Sequence, residues 1–406
     1  MKQSVRIEAR HTTTPVIKAL IQRFLDIVGR IKVGSISVRL PDGSQHLLKG
    51  NAPGPFAEIE LSTWEAVRRL LTQGDLGFVE AYVDGDWVSP DPSKVIEIGV
   101  RNREQLGTDR LQTWVHKVRH RIAHLMRPNN KKGARRNIAE HYDLGNEFYK
   151  QWLDPTMTYS SGYFETEKDD LNCAQLHKYR RIADILELSK DHHVLEIGCG
   201  WGGFAEFATK EYGCRLTGLT LSAEQLDYAR VRAKREGFSD KANFRLQDYR
   251  DTDGTFDRIA SIEMFEAVGE DHWPRYFETV RDRLVNGGVA ALQIITINEE
   301  RFAYYRNGAD FIQRYIFPGG MLPSMAALTD QVKESGLQLA STFSFGPSYA
   351  QTLHQWREQF MAAWSKIEPL GFDQRFKRMW EMYLAYCEGG FRGESIDVVQ
   401  LKLIRP

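Results

Sequence analysis

The chain has 406 residues, of which 42% are hydrophobic and 27% charged, and its 54 Lys+Arg balance 54 Asp+Glu. That length buries a sizeable core and, at about 150 residues per domain, suggests two or three domains, which excludes a disordered chain and a disulfide-stapled miniprotein. Zero net charge excludes a chain that is basic throughout, and with it a general nucleic-acid binder, but leaves room for a local patch. Cys173, Cys199, Cys214 and Cys387 form neither a CxxC pair nor a Cys/His cluster at zinc spacing. No metal site is expected, and a reduced cytoplasmic protein is the default. No apolar run of about 18 residues and no leader-like N-terminus is present, so neither a membrane-spanning nor a secreted protein is expected.

Residues 16–31 carry apolar side chains at helical spacing. Two alternating runs follow about Pro41-Asp42-Gly43 and read as a hairpin. Ser62 or Thr63 suits the cap of a helix through Leu71, and the Gly-, Asp- and aromatic-rich stretch to Asp91 closes a small α+β domain, 1–108. Residues 110–136 hold nine Lys/Arg, three His and no acid, and Leu111, Trp114, Val115, Val118, Ile122, Leu125 and Met126 share one helical face ahead of Pro128. Two readings stand for this basic linker, 109–136: a helix packed on a domain with solvated cations opposite, or an interfacial helix on anionic headgroups.

From 137 to 406 helical and strand-like runs alternate. Strands are predicted at 194–198, 215–221, within Asn243–Asp248, at 256–264 and, after the Asn286-Gly287-Gly288 turn, at 289–297. Helices are predicted at 172–188, from Gly202, after Ser222 as N-cap, and at 272–284. This rhythm predicts an α/β, doubly wound, Rossmann-like parallel sheet, with ligands at the carboxyl ends of its strands.

The most informative stretch is Val194-Leu195-Glu196-Ile197-Gly198-Cys199-Gly200-Trp201-Gly202-Gly203. Strand, Gly-x-Gly-x-Gly, helix is a tight turn that lets backbone amides approach a ligand. Glu196, inside the strand end, would repel a pyrophosphate but suits a cationic ligand such as the amino group of S-adenosylmethionine (AdoMet). Thr220 and Gln225, after the second strand, carry groups that can bond ribose hydroxyls. Asp248 and Tyr249 follow the third. Asp248 reads either as an acceptor for the adenine amino group or as a turn residue.

These residues, with HYDLGNEFYKQWLD (141–154), MTYSSGYF (157–164), LQDYRD (246–251), MFEAVG (264–269), YIFPGGMLPS (315–324) and FKRMWEMYL (376–384), resemble the cyclopropane-fatty-acyl-phospholipid synthase and mycolic-acid methyltransferase family. The resemblance spans nearly the whole chain. It implies an AdoMet-dependent enzyme acting on unsaturated acyl chains of membrane phospholipids, peripheral at the inner face of the membrane, with a mostly helical N-terminal domain that contacts lipid. A homodimer is compatible with it. Cofactor contacts carried over are Tyr159, Ser160, Gly198, Gly200, Gly202, Thr220, Gln225 and the neighbourhood of Tyr249. Transfer to an alkene leaves a carbocation, which needs aromatic faces or a carboxylate and a base. Tyr159, Tyr163, Phe164, Phe265, Tyr304, Tyr305, Tyr315 and Tyr349 are the aromatic candidates, only two or three of them expected at the pocket.

The resemblance also implies a bicarbonate as the base, held by a cysteine, a glutamate, a histidine and a tyrosine. The matching positions here are Ser161, Glu266, Gln293 and Tyr349, and Ala267 replaces the usual histidine after the glutamate. Ser161 and Gln293 still bond an anion, or else they alter the base. In the second case the cation collapses to a methyl- or methylene-branched chain, including furan fatty acid precursors, instead of a ring. Rival readings are a methyltransferase for another lipophilic acceptor, such as a quinone or sterol, and a non-catalytic membrane-binding protein.

Overall fold

A computed structural model of the chain describes residues 15–107 and 144–406, apart from position 307. The basic segment 109–136 therefore lies outside the described residues. The described chain forms two units, 15–107 with 373–393, and 144–372 with 394–406. The sequence reading kept 137–406 together. Instead the amphipathic helix Gln374–Arg392 packs on the helices Glu65–Asp84 and Pro92–Arg101 of the first unit. Gly389 lets the backbones close up: a Cβ there would lie 2.7 Å from Ile96 Cβ and from the Ser93 carbonyl oxygen.

In the first unit, β1 (Val33–Arg39) pairs antiparallel with β2 (Gln45–Lys49) across the Pro41-Asp42-Gly43 turn, as the hairpin pattern predicts. β1 also pairs parallel with β3 (Ala52–Leu61), which pairs antiparallel with the short β4 (Trp87–Val88). The following helix is longer than predicted. It runs from Glu65 to Asp84 and breaks only at Gly74, whose φ of 67° is outside the helical region. Beyond that glycine Leu76, Val79, Tyr82 and Val83 are buried, so packing carries the helix past the break. Buried Asn102 joins the parts: its Oδ1 accepts from the backbone N–H of Lys32 (2.7 Å) and Val33 (2.9 Å), and its Nδ2 donates to the carbonyls of Val33 and Ile98, both at 2.9 Å.

The second unit is built on seven strands. β5 (His193–Ile197), β6 (Arg215–Thr220), β7 (Ala242–Leu246), β8 (Phe256–Ile262) and β9 (Leu284–Ile297) run parallel in the order β9-β8-β5-β6-β7. β11 (Ile396–Ile404) pairs antiparallel with β9 and with β10 (Gln338–Ser344). The sheet is thus mixed at that edge. β9 begins at Leu284, ahead of the predicted turn, which becomes an irregularity within the strand. Helices cover both faces. Along β5, Val194 joins the apolar layer of Ile182, Phe204 and Ala229, while Leu195 joins the opposite layer of Phe277, Leu292 and Leu328. Burial on both faces is why the parallel strands read as nearly continuous apolar runs. The chain order reverses between β5 and β8, and the crevice at their carboxyl ends is where such sheets hold ligands.

Candidate active site

The glycine turn leaves the end of β5 with Gly198, Gly200 and Gly202 at φ of 84°, 52° and 82°. Side chains at these angles cost about 1–2 kcal/mol each. Backbone N–H groups of Gly198 and Cys199 donate to the Leu219 carbonyl at the end of β6, at 3.0 and 2.8 Å, which joins the two strand ends. At Gly198 a Cβ would strike Met264, and at Gly202 it would press on Ala229 and Phe244. At Gly200 it would meet nothing within 4 Å, so this corner of the turn faces open space.

Glu196 is buried, and its Oε2 has no hydrogen-bond partner among the described residues. Desolvation pushes its carboxyl well above the ordinary range, opposed by the charges of Lys178 and Arg232. An unpartnered buried carboxylate oxygen beside an open glycine corner fits the ammonium end of AdoMet. At the end of β6, Thr220 Oγ1 donates to Gln225 Oε1 (2.9 Å) and Ser222 caps the next helix. Asp248 is buried but taken up by a bidentate pair with Arg250 (2.8 and 2.7 Å), and its Oδ1 also accepts the Arg250 backbone N–H. The turn role therefore operates, and an adenine amino group would have to share this carboxylate. Tyr249 packs edge-on against Tyr276 (5.5 Å).

Segment 154–164 lies over these strand ends. Tyr159 sits in an aromatic cluster with Tyr149 (5.5 Å), Trp152 (5.6 Å) and Trp356 (5.3 Å), and Trp356 reaches Tyr349 at 6.2 Å. Of the aromatic candidates, Tyr159 and Tyr349 join this cluster, Phe265 is core with Trp273, Tyr276 and Phe277, and Tyr304 is exposed. Ser160 Oγ accepts from Lys178 Nζ (2.7 Å), and its carbonyl accepts from Gln175 (2.9 Å). Lys178 is fully buried, and desolvation lowers its pKa to about 7 against the opposing charges of Glu263, Asp154 and Glu196.

Three of the four residues matched to the anion site converge, but on a carboxylate of the chain itself. Glu263 Oε1 accepts from the Ser161 backbone N–H (2.8 Å) and from Gln293 Nε2 (2.8 Å), and Glu263 Oε2 accepts from the Tyr349 hydroxyl (2.5 Å). Glu263 leaves β8 at a φ of 51°, and its backbone N–H donates to the Gln293 carbonyl (2.8 Å). Burial raises its carboxyl and the three donors oppose that rise. The fourth residue, Glu266, accepts the Ile295 backbone N–H at 2.5 Å, while its Oε2 is buried without a partner among the described residues. Burial first, then the Glu263 charge, push it up to about 8. Its carboxyl thus favours the protonated form more than an ordinary glutamate does, which weakens its expected role as the charged group. The sequence reading missed Glu263 and Lys178. The signal for Glu263 was a second acid three residues before Glu266 at a strand end; for Lys178 there was none.

The chain matches the mycolic acid cyclopropane synthetase family over residues 129–401, well over half its length. It belongs to this family. Tuberculostearic acid methyltransferase UfaA1 of Mycobacterium tuberculosis is 40% identical over 83% of this chain and 81% of its own. The cyclopropane-fatty-acyl-phospholipid synthase of Escherichia coli is 37% identical over 88% of this chain and 90% of its own. Among solved structures, mycolic acid cyclopropane synthase CmaA1 complexed with SAH and CTAB superposes with a TM-score of 0.63 at 30% identity, covering 66% of this chain and 98% of that one. This member of the mycolic acid cyclopropane synthetase family is an AdoMet-dependent enzyme of lipid modification, a fatty acid methyltransferase or cyclopropane synthase. AdoMet supplies the one-carbon unit.

Proposed function

We propose that the enzyme adds the methyl carbon of AdoMet to the double bond of an unsaturated acyl chain in a membrane phospholipid, through a carbocation, and yields a methyl- or methylene-branched chain. The observation that carries this reading is the pair Glu263 and Glu266 beside the Tyr159–Trp356–Tyr349 cluster, at the same strand ends as the glycine turn. An alkene is a weak nucleophile, so the transfer needs a water-excluded enclosure, and the cation it leaves needs π faces and a fixed carboxylate. Gly198, Gly200, Gly202 and Glu196 hold the glycine-turn side of the cofactor, with Thr220 and Gln225 toward its ribose and Tyr159, Ser160, Asp248 and Tyr249 around it. A branched product is favoured by Ser161, Ala267 and Gln293, which depart from the ring-forming pattern, and by the name of the 40% identical relative. Ring closure is the second reading, supported by 37% identity to a cyclopropane synthase along nearly the full length of both chains. Among the described residues no helix is long and apolar enough to cross a membrane. Access to acyl chains is therefore assigned to the first unit and the basic segment 110–136, on an anionic surface.

The test uses purified enzyme, AdoMet carrying a 13C-methyl group, and vesicles of monounsaturated phospholipid. The label is expected in the acyl chain as a methyl or exocyclic methylene carbon. A cyclopropyl carbon would select the second reading, and no label in any lipid would contradict both.

A further inference from the structure

The bicarbonate that the family resemblance implies does not fit the residues present. Its donors would be the Ser161 backbone N–H, Gln293 Nε2 and the Tyr349 hydroxyl, and all three already donate to Glu263. A second anion there would also face the Glu263 carboxylate at short range, where like charges strongly disfavour each other. We infer that Glu263 is the base of the reaction, a carboxylate carried by the chain in the donor set where a free oxyanion would otherwise sit. The inference takes the reaction from the proposed function, while the position of the carboxylate rests on geometry alone.

The surroundings are built to hold this group. Gln293 Oε1 accepts from Gln400 Nε2 (3.0 Å), and Gln400 Oε1 accepts from Arg181 Nε (3.2 Å). That chain of bonds fixes the Gln293 amide with its Nε2 toward Glu263. The strand leaves β8 in a left-handed conformation that a glutamate seldom adopts, and such strain persists at a site only where surrounding contacts over-determine it. Lys178 supplies the facing positive charge. Oε1 receives two donors and Oε2 one, so Oε2 keeps a lone pair free to accept a proton.

The step balances without a further reactant. The alkene π pair forms the C–C bond to the incoming methyl, and the C–S bond breaks with its pair on sulfur. The positive charge is left on the neighbouring alkene carbon. Glu263 Oε2 then takes a proton, and the freed C–H pair becomes the C=C bond of a methyl-branched chain or the closing C–C bond of a ring. For an exocyclic methylene, a hydride first shifts from the methylated carbon to the cationic one, and the proton then leaves the methyl group. Glu263 is left protonated and returns its proton to water once the product has gone.

Three proteins test this: the parent enzyme, Glu263→Gly, whose residue suits the left-handed backbone and opens the donor set, and Glu263→Gln, which keeps the volume. Turnover on monounsaturated vesicles is measured in CO2-stripped buffer with and without added bicarbonate or formate, and bicarbonate binding is followed by 13C NMR. The parent is expected to turn over equally in all buffers and to bind no bicarbonate. Both variants are expected to keep AdoMet affinity and lose about 10²-fold or more in turnover, the scale of general base catalysis. Added bicarbonate or formate should bind Glu263→Gly and restore part of its turnover, but leave Glu263→Gln unchanged. Bicarbonate binding or dependence in the parent would overturn the inference, as would full turnover of either variant in stripped buffer. If the parent modified no lipid, the function reading would fail separately, and NMR would still decide whether Glu263 occupies the oxyanion position.

Discussion

At position 266 burial and the Glu263 charge act in the same direction, and the carboxyl rises from 4.5 to about 8. Between these values the folded state holds a proton that the unfolded chain has released. The stability from this group is therefore full below pH 4.5 and is lost as pH rises through about 8. Lys178, lowered to about 7, contributes the opposite slope, but only above that pH. Burial also raises Glu196 and Glu263, so urea denaturation at pH 5 and pH 7 is compared between the parent and Glu266→Gln, and the difference reports Glu266. Glu266→Gln is expected to remove a pH-dependent loss of at most about 3 kcal/mol across this window, at 1.36 kcal/mol per unit. It should keep AdoMet affinity and most turnover at pH 7, because an amide resembles the neutral acid. An unchanged pH slope would show that Glu266 is ionised in the fold. At the glycine turn, Gly200→Val places a β-branched side chain at a φ of 52°, pointing into the open corner. Calorimetry is expected to show no AdoMet binding with the far-ultraviolet spectrum retained; ordinary affinity would remove the turn from the cofactor site.

Among the elements, those of the second unit were largely legible because each parallel strand is a short apolar run that ends in a turn signal. Ser222 caps its helix as predicted, and Asp170 starts the helix Leu171–Ile185 one residue before the expected 172. What could not be read were pairings set by distant sequence. Nothing in Ile396–Ile404 announces an antiparallel partner for β9, and nothing in Gln374–Arg392 announces that it packs with the first unit. The sequence pattern takes the second helix only through Leu71, whereas burial of Leu76, Val79, Tyr82 and Val83 carries it past Gly74 to Asp84. Asn102 is likewise silent in sequence and central in structure. Asn102→Ala would leave the part-buried N–H groups of Lys32 and Val33 without their acceptor, at a cost of about 1–3 kcal/mol for two hydrogen bonds. Urea unfolding should show that loss; a shift under about 0.5 kcal/mol would mean water replaces the amide.

For the whole molecule, the cofactor half of the site was legible because strand, glycines and acid lie together in sequence. The reacting half was half legible. Ser161, Gln293 and Tyr349 were found one by one, but the group they share was not, since only the folded sheet brings β8, β9 and the helix Gly346–Ala362 to one point. The zero net charge conceals the basic segment, where Lys131, Lys132, Arg135 and Arg136 fall within six residues. Changing these four to Gln removes about 1 kcal/mol of attraction each near an anionic surface. Sedimentation with anionic vesicles should show weaker binding and a flatter salt dependence, and unchanged partitioning would return 110–136 to a plain linker.

The central claim is one-carbon addition to acyl double bonds, and the most direct measurement is mass spectrometry of whole lipid extracts from a bacterial host that lacks such enzymes, with and without expression of this chain. Monounsaturated phospholipids are expected to gain the mass of one CH2 unit, with fragmentation placing a methyl or methylene branch at the former double bond. Extracts indistinguishable from those of the host, with the protein folded and AdoMet-bound, would contradict it.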